Sequence, residues 1–179
     1  GGIVGSDYFS GYHKYMADCG VLVQFCWAHL TRDIRFLAEH TDKSLPIWGK
    51  RLLPWIGHLF ATWHRAQKMS QAGFACAMDR VRRGFLKTVR RRPSRSEAQT
   101  VAERFRGQQA DNYFRFLTMP GIEPTNNQTE QAIRHVVVDR HITQGSRGSR
   151  GQRWRERVWT VLATCRQQGR RVFEFCCTP

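Results

Sequence analysis

No stretch of this 179-residue chain reaches the roughly 18 consecutive apolar residues that a bilayer-spanning helix requires. The most apolar segment, Ile47 to Phe60, is broken by Lys50, Arg51, Pro54 and His58 and reads as a core helix. The first residues carry neither the basic flank nor the apolar centre of a secretory signal, so a cytosolic protein with no membrane partner is expected. Acids are scarce, with fourteen Asp and Glu against twenty-nine Lys and Arg. No two of the six cysteines are spaced as a C-x-x-C pair, which excludes the usual redox and zinc-ribbon motifs. Low-complexity linkers and internal repeats are missing too. The chain is nonetheless 41% apolar and 12% aromatic, too rich for a disordered tail and rich enough for one packed interior or two small ones.

The shortage of acids leaves a net charge of +15 and a pI near 10.6. A compact body with that excess repels itself unless counterions or phosphates neutralise it. Arg far outnumbers Lys, and the guanidinium fork suits bidentate phosphate and base contacts. Nucleic acid is therefore the expected partner. Cys26 and His29, in the CWAH stretch, have half the spacing of a zinc site with no second half in view. Buried thiols and a helix-capping histidine are expected there, and no zinc.

Ile3-Val4, then Val21 to Cys26, read as short buried strands, and Tyr8, Tyr12, Tyr15 and Met16 between them have helical spacing. Strand, helix, strand points to an α/β layer. Thereafter the pattern is helical: Leu30, Ile34 and Leu37; Trp48 to Trp63; Phe74 to Val89, stopped before Pro93; and a helix from about Glu97 to Leu117. A loop rich in turn formers, Met119 to Asn127, precedes a helix over about Gln128 to Val138. Gly145 to Gly151 reads as a basic glycine-rich loop, and Trp154, Val158, Val161, Leu162 and Cys165 mark a last helix.

Phosphoryl transfer on DNA asks little of a protein beyond carboxylates that hold divalent cations about 4 Å apart. With so few acids, two stand out. Asp7 leaves a strand, and Glu130 shares the apolar face of its helix with Ile133 and Val137. Both also have local readings: Asp7 as the cap of a helix beginning at Tyr8, and Asn127 with Glu130 as a variant capping box. Asp33, on the helix after CWAH, is given no role.

Three blocks carry a resemblance: Ser6-Asp7-Tyr8-Phe9-Ser10-Gly11-Tyr12; Phe25-Cys26-Trp27-Ala28-His29-Leu30-Thr31-Arg32-Asp33; and Pro120-Gly121 with Thr125-Asn126-Asn127-Gln128-Thr129-Glu130-Gln131-Ala132-Ile133-Arg134. In order along nearly the whole chain, they resemble the insertion sequence 66-type transposase family. Asp139 to Ser146 and Trp159 to Cys165 continue the likeness, and residues 47 to 95 match least. The resemblance implies a DDE transposase with an α/β, ribonuclease H-like core, incomplete here, and a large α-helical insertion that makes the chain mostly helical. It divides the chain into part of that core (1–27), the helical insertion (28–117) and a segment with the catalytic-Glu helix, the basic loop and the last helix (118–179).

By position, Asp7 matches the second acid of the catalytic triad and Glu130 the third, with Mg2+ or Mn2+ as cofactor. The two carboxylates are then expected to approach one another across the sheet. The first Asp would lie upstream of Gly1, so the chain reads as part of a longer transposase, inactive alone. Arg134 and Arg140 would contact DNA, as would the basic segments with Arg82, Arg83, Arg91, Arg147, Arg150 and Arg153. Double-stranded DNA, both transposon ends and target, is the implied partner, with a homo-oligomer assembled on it at the bacterial nucleoid. A non-catalytic nucleic-acid-binding module and a metal-dependent nuclease are the alternatives.

Overall fold

Extended runs of β-branched and aromatic residues at each end of a short polar helix favour two strands joined by a crossover, and that is how the chain begins. The structure, a computed structural model, describes residues 2–177. Strand β1 (Ile3–Ser6) pairs in parallel with β2 (Leu22–Phe25), in a register that sets Ile3 opposite Leu22 and Ser6 opposite Phe25. Helix α1 (Ser10–Cys19) makes the crossover. Gly20 ends it at φ 61°, a left-handed turn from which its N–H reaches the Met16 carbonyl. Helix α1 begins at Ser10 rather than Tyr8, and it buries none of its residues; Tyr12 and Tyr15 face water.

The chain is mostly helical beyond β2. Helices α2 (Trp27–Ala38), α3 (Ser44–His64) and α4 (Gln71–Arg90) follow the apolar periodicities of the sequence. Helix α3 runs through Pro54, and α4 ends three residues before Pro93. Ser70 caps α4, its Oγ accepting from Gly73 N at 3.1 Å. The single helix expected from Glu97 to Leu117 is instead broken. Helix α5 (Ser96–Glu103) stops, Phe105 turns into the core, and Gly107 adopts φ 56°. Two 3-10 turns, Gly107–Ala110 and Arg115–Leu117, then flank the short α6 (Asp111–Phe114). A straight helix cannot bury Phe105, Ala110, Tyr113, Phe114 and Phe116 together; the break allows it.

The chain divides into two compact units, Gly1–Asn126 and Asn127–Pro179. The first has one hydrophobic core shared by β2 and the helices, centred on Trp27, which is fully buried with Phe85, Tyr113 and Phe114 around its ring. The second consists of α7 (Asn127–Thr143), α8 (Ser149–Gln167) and α9 (Val172–Cys177). Among its described residues only Cys165 is buried, so the helical stripe of Trp154, Val158, Val161 and Leu162 is periodic without being a core. The glycine-rich loop is shorter than expected, because Arg150 and Gly151 already belong to α8. All six cysteines are free thiols, and only Cys26 and Cys165 are buried.

Two glycines of α3 have opposite environments. A Cβ at Gly49 would lie 2.7 Å from Ala38 N and 2.9 Å from Ala38 Cα, whereas one at Gly57 meets nothing within 4 Å. Backbone cannot yield as a flexible side chain can. Gly49→Ala should therefore cost about 1–3 kcal/mol by overpacking. Gly57→Ala should add about 0.5–1 kcal/mol by restricting the unfolded chain. Denaturant midpoints of the two variants should move in opposite directions.

Candidate functional site

Asp7 stands at the carboxyl end of a parallel strand, the place where open α/β sheets bind their ligands. Its position is fixed by backbone. Ser6 is buried, its carbonyl accepts from Cys26 N at 2.8 Å, and its Oγ donates to the Asp7 carbonyl at 2.7 Å. Asp7 Oδ1 accepts from Phe9 N at 3.3 Å, a local turn contact. The N-cap position of α1 belongs to Phe9, with no side-chain cap, so the carboxylate of Asp7 is not the cap of that helix.

The neighbouring Tyr8 ties this loop to the helices. Its ring lies 5.0 Å from Phe25 and 6.4 Å from Tyr113, and the Arg104 guanidinium sits 4.6 Å above it. Arg104 in turn donates to Asp33 Oδ2 at 2.6 Å, with only 12% of its side chain exposed. Asp33, which the sequence left without a role, is thus the counter-ion of a mostly buried arginine. Burial raises the Tyr113 phenol well above the ordinary tyrosine range, although Arg104 beside it pulls the other way. Tyr8 is raised more gently, again by burial against the pull of Arg104.

The turn-rich segment ahead of α7 returns to the same strand ends. Trp27 N donates to the Pro124 carbonyl at 2.9 Å. Asn126 Cβ is 3.8 Å from the point where a side chain on Gly5 would begin, and Asn126 Oδ1 is buried with no hydrogen-bond partner among the described residues. Gly5 is two residues before Asp7, and Asn126 is four before Glu130.

Within the second unit, α7 starts at Asn127, and Glu130 is the acidic residue of its first turn. Glu130 lines a hollow of about 410 Å3 with Asn127, Gln131, Ile133, Arg134 and Val137. The expected face is therefore present, but it is not a buried one: Ile133 is 49% and Val137 44% exposed. Arg134 lines the same hollow as Glu130.

The sequence model described as Transposase IS66 family matches residues 1–153, which takes in the whole first unit, α7 and the start of α8. The chain belongs to the IS66 transposase family. No curated protein and no solved structure matches it. As a family member it is a protein of DNA transposition, an enzyme of the transposase kind whose partner is DNA. None of the described helices is long and apolar enough to cross a membrane.

The arginines that this IS66 transposase was expected to offer DNA are unequal. Arg140, Arg147, Arg150 and Arg153 are exposed, Arg140 in the last turn of α7, Arg147 in the loop after it, Arg150 and Arg153 in α8. Arg91 is exposed just after α4. Arg83 is taken by Asp79 at 2.7 Å one turn away, and Arg82 by Asp111 at 2.8 Å while lying over the Phe114 ring. Among the described residues no three His, Cys, Asp or Glu side chains come together as a metal cluster. His29 is the third residue of α2 and the Cys26 side chain makes no cap. Sequence reasoning missed Arg104, Asp33, Tyr113 and Asn126. For Asn126 the signal was available in the Asn-Asn pair ahead of Glu130; for the others it was not, since each depends on contacts more than seventy positions apart.

Removing Asp33 should expose the dependence on Arg104. Asp33→Ala leaves a mostly buried guanidinium without its carboxylate and should cost about 1.5–3 kcal/mol in a urea melt, with Asp33→Asn closer to wild type. Alkaline pH should act through the two phenols. In the unfolded chain they ionise near pH ~10, whereas burial keeps them protonated in the folded one, so this stability is intact below pH ~10 and declines above it. Denaturant midpoints at pH ~9 and ~11 should diverge in the wild type and lie closer together in Tyr113→Phe, with the remainder due to Tyr8.

Proposed function

We propose that Asp7 and Glu130 are two of the catalytic carboxylates of this IS66 transposase, serving metal-dependent cleavage of double-stranded DNA and strand transfer from transposon ends to target. The supporting observation lies in the first unit: Asn126, four residues before Glu130, has its Cβ beside Gly5, two residues before Asp7, and its buried Oδ1 has no partner among the described residues. On this reading residues 1–27 belong to a ribonuclease H-like core, 28–117 to its helical insertion and 118–179 to the segment with the Glu helix.

The donors fit a hard divalent cation in kind. Asp7, Glu130 and the unpaired amide oxygen of Asn126 offer oxygen alone, the ligand type of Mg2+ and Mn2+. Bound there, the cation would supply charge stabilisation at the reacting phosphate and a more acidic water or hydroxyl. The protein's own part is positional. The ladder to β2 and the Tyr8–Arg104 contact hold the Asp7 loop, and Arg134 presents a guanidinium in the hollow that contains Glu130. Arg134 and Arg140 then meet DNA phosphates as positioning contacts, and a homo-oligomer on DNA brings two ends together.

The test is joined-product yield from the transposase as encoded, in Mg2+ or Mn2+. Glu130→Gln and Asp7→Asn keep shape but remove charge. Each should lower strand transfer by several orders of magnitude, the loss of several kcal/mol of transition-state stabilisation. Melting midpoints should stay within the ~1–2 kcal/mol that a local hydrogen bond is worth. Full activity of Glu130→Gln would sink the assignment.

A further inference from the structure

Several arginines of the first unit line two neighbouring hollows. Helices α4 and α5 and the turn at Gly107 enclose a hollow of about 620 Å3 that Arg82, Arg90, Arg92 and Arg106 line. A second hollow of about 300 Å3 is lined by Arg92, Arg95 and Gln99. Arg92 and Gln99 line both, so the two hollows lie side by side as one basic trough along the surface.

Its charges are only partly balanced. Asp111 takes Arg82 at 2.8 Å, Glu103 takes Arg106 at 3.6 Å, and Asp42 takes Arg95 at 2.6 Å. Arg90 and Arg92 are exposed and have no ion-pair partner among the described residues. Complementing the α4 dipole accounts for only part of this. A helix C-terminus carries about half a negative charge, and Lys87 and Arg90 already lie in its last turn. Arg92, beyond the helix, is surplus to that need. The Arg106–Glu103 pair is largely solvent-exposed, and such pairs are worth about 0–1 kcal/mol, so an incoming phosphate can compete for that guanidinium, whereas Arg82 is half-buried over Phe114.

We propose that this trough seats the sugar-phosphate backbone of DNA and holds it without reading its sequence. Guanidinium forks match phosphate bidentately. Bases have nothing to stack on, because Phe105, the aromatic ring that lines the trough, is itself 9% exposed and committed to the core. Gly107, at φ 56°, leaves its rim open, since a Cβ there would meet nothing within 4 Å. The same turn touches the Asp7 loop: Tyr8 OH donates to Gln109 Oε1 at 3.4 Å. A strand lying in the trough is thus held by the segment that also supports the neighbour of Asp7. The proposal rests on the transposase reading only for the identity of the polyanion.

The experiment is binding of a labelled mixed-sequence DNA duplex to this chain over a series of salt concentrations. Arg90→Ala with Arg92→Ala should reduce the slope of log K against log salt by about 2, at roughly 0.9 per phosphate contact, and weaken binding at least ~tenfold at low salt. Lys50→Ala with Lys68→Ala removes the same charge elsewhere on the first unit and should change the slope distinctly less. All four side chains are exposed, so thermal midpoints should hold. A trough variant no weaker than the lysine control would overturn the proposal, as would absent binding by the wild type. So would tighter, trough-dependent binding of a matched RNA duplex. Catalysis plays no part in this measurement. Glu130→Gln should bind DNA as the wild type does, so failure of the carboxylate assignment would leave the trough result standing.

Discussion

One backbone carbonyl, that of Tyr113, receives two buried side-chain donors: Trp27 Nε1 at 2.6 Å and Gln24 Nε2 at 3.1 Å. Gln24 completes the exchange by accepting from Phe116 N at 2.9 Å through Oε1, and Arg115 Nε donates to the Val23 carbonyl at 3.0 Å. A pair of four-residue strands is marginal by itself, and the open edge of β2 would leave polar backbone without partners. The residues 112–117 pack on that strand, and Arg115 takes its Val23 carbonyl. Buried polar networks stabilise when every member is paired, and here a glutamine inside a strand has each of its amide atoms engaged. Without that junction the helices would have no fixed relation to the strand ends.

The junction also explains why the helical region is more than an appendage to the sheet. Pinning Tyr113 sets its ring 5.3 Å from Phe25 and 4.8 Å from Phe105, and Tyr8, with Arg104 over its ring, stacks on the same Tyr113. Asp33 then neutralises Arg104 from α2. The residue next to the candidate carboxylate thus rests on parts from α2, the end of α5 and α6. A disturbance of any of these reaches the Asp7 loop through packing, with no contact to substrate needed.

The sequence made the periodic parts legible. Strand, helix, strand followed from β-branched runs around a polar helix, and the end of α4 followed from Pro93, because both depend on residues close in the chain. The break after α5 did not follow. Phe105 and Tyr113 continue a helical spacing, and only the demand to bury both against Trp27 decides that the chain turns at Gly107. The reverse occurred in α8, where a regular apolar stripe leaves Trp154 64% exposed. Periodicity reports which side chains share a face and says nothing of whether the face is covered. Among the arginines, a run such as Arg90-Arg91-Arg92 shows its charge in the sequence, but its direction and its counter-ions come from the fold. Arg83 is spent on Asp79 one turn away; Arg90 and Arg92 look into a trough.

Glu130 shows how these levels join. Its side chain shares a face with Ile133 and Val137, each nearly half exposed, so that face still has apolar area to lose to a covering surface. Burial of that area would be favourable at about 25 cal/mol per Å2. It would also strip water from the Glu130 carboxylate, and an uncompensated buried charge costs more than a few methyl groups return. Two compensations are possible from the residues at hand. Arg134, in the same hollow, can neutralise the carboxylate, and a divalent cation brought with other oxygen donors can do so while leaving charge over for a phosphate. Covering that face therefore leaves the carboxylate dependent on its charge partner, since a charge stripped of water is tolerated only when it is paired.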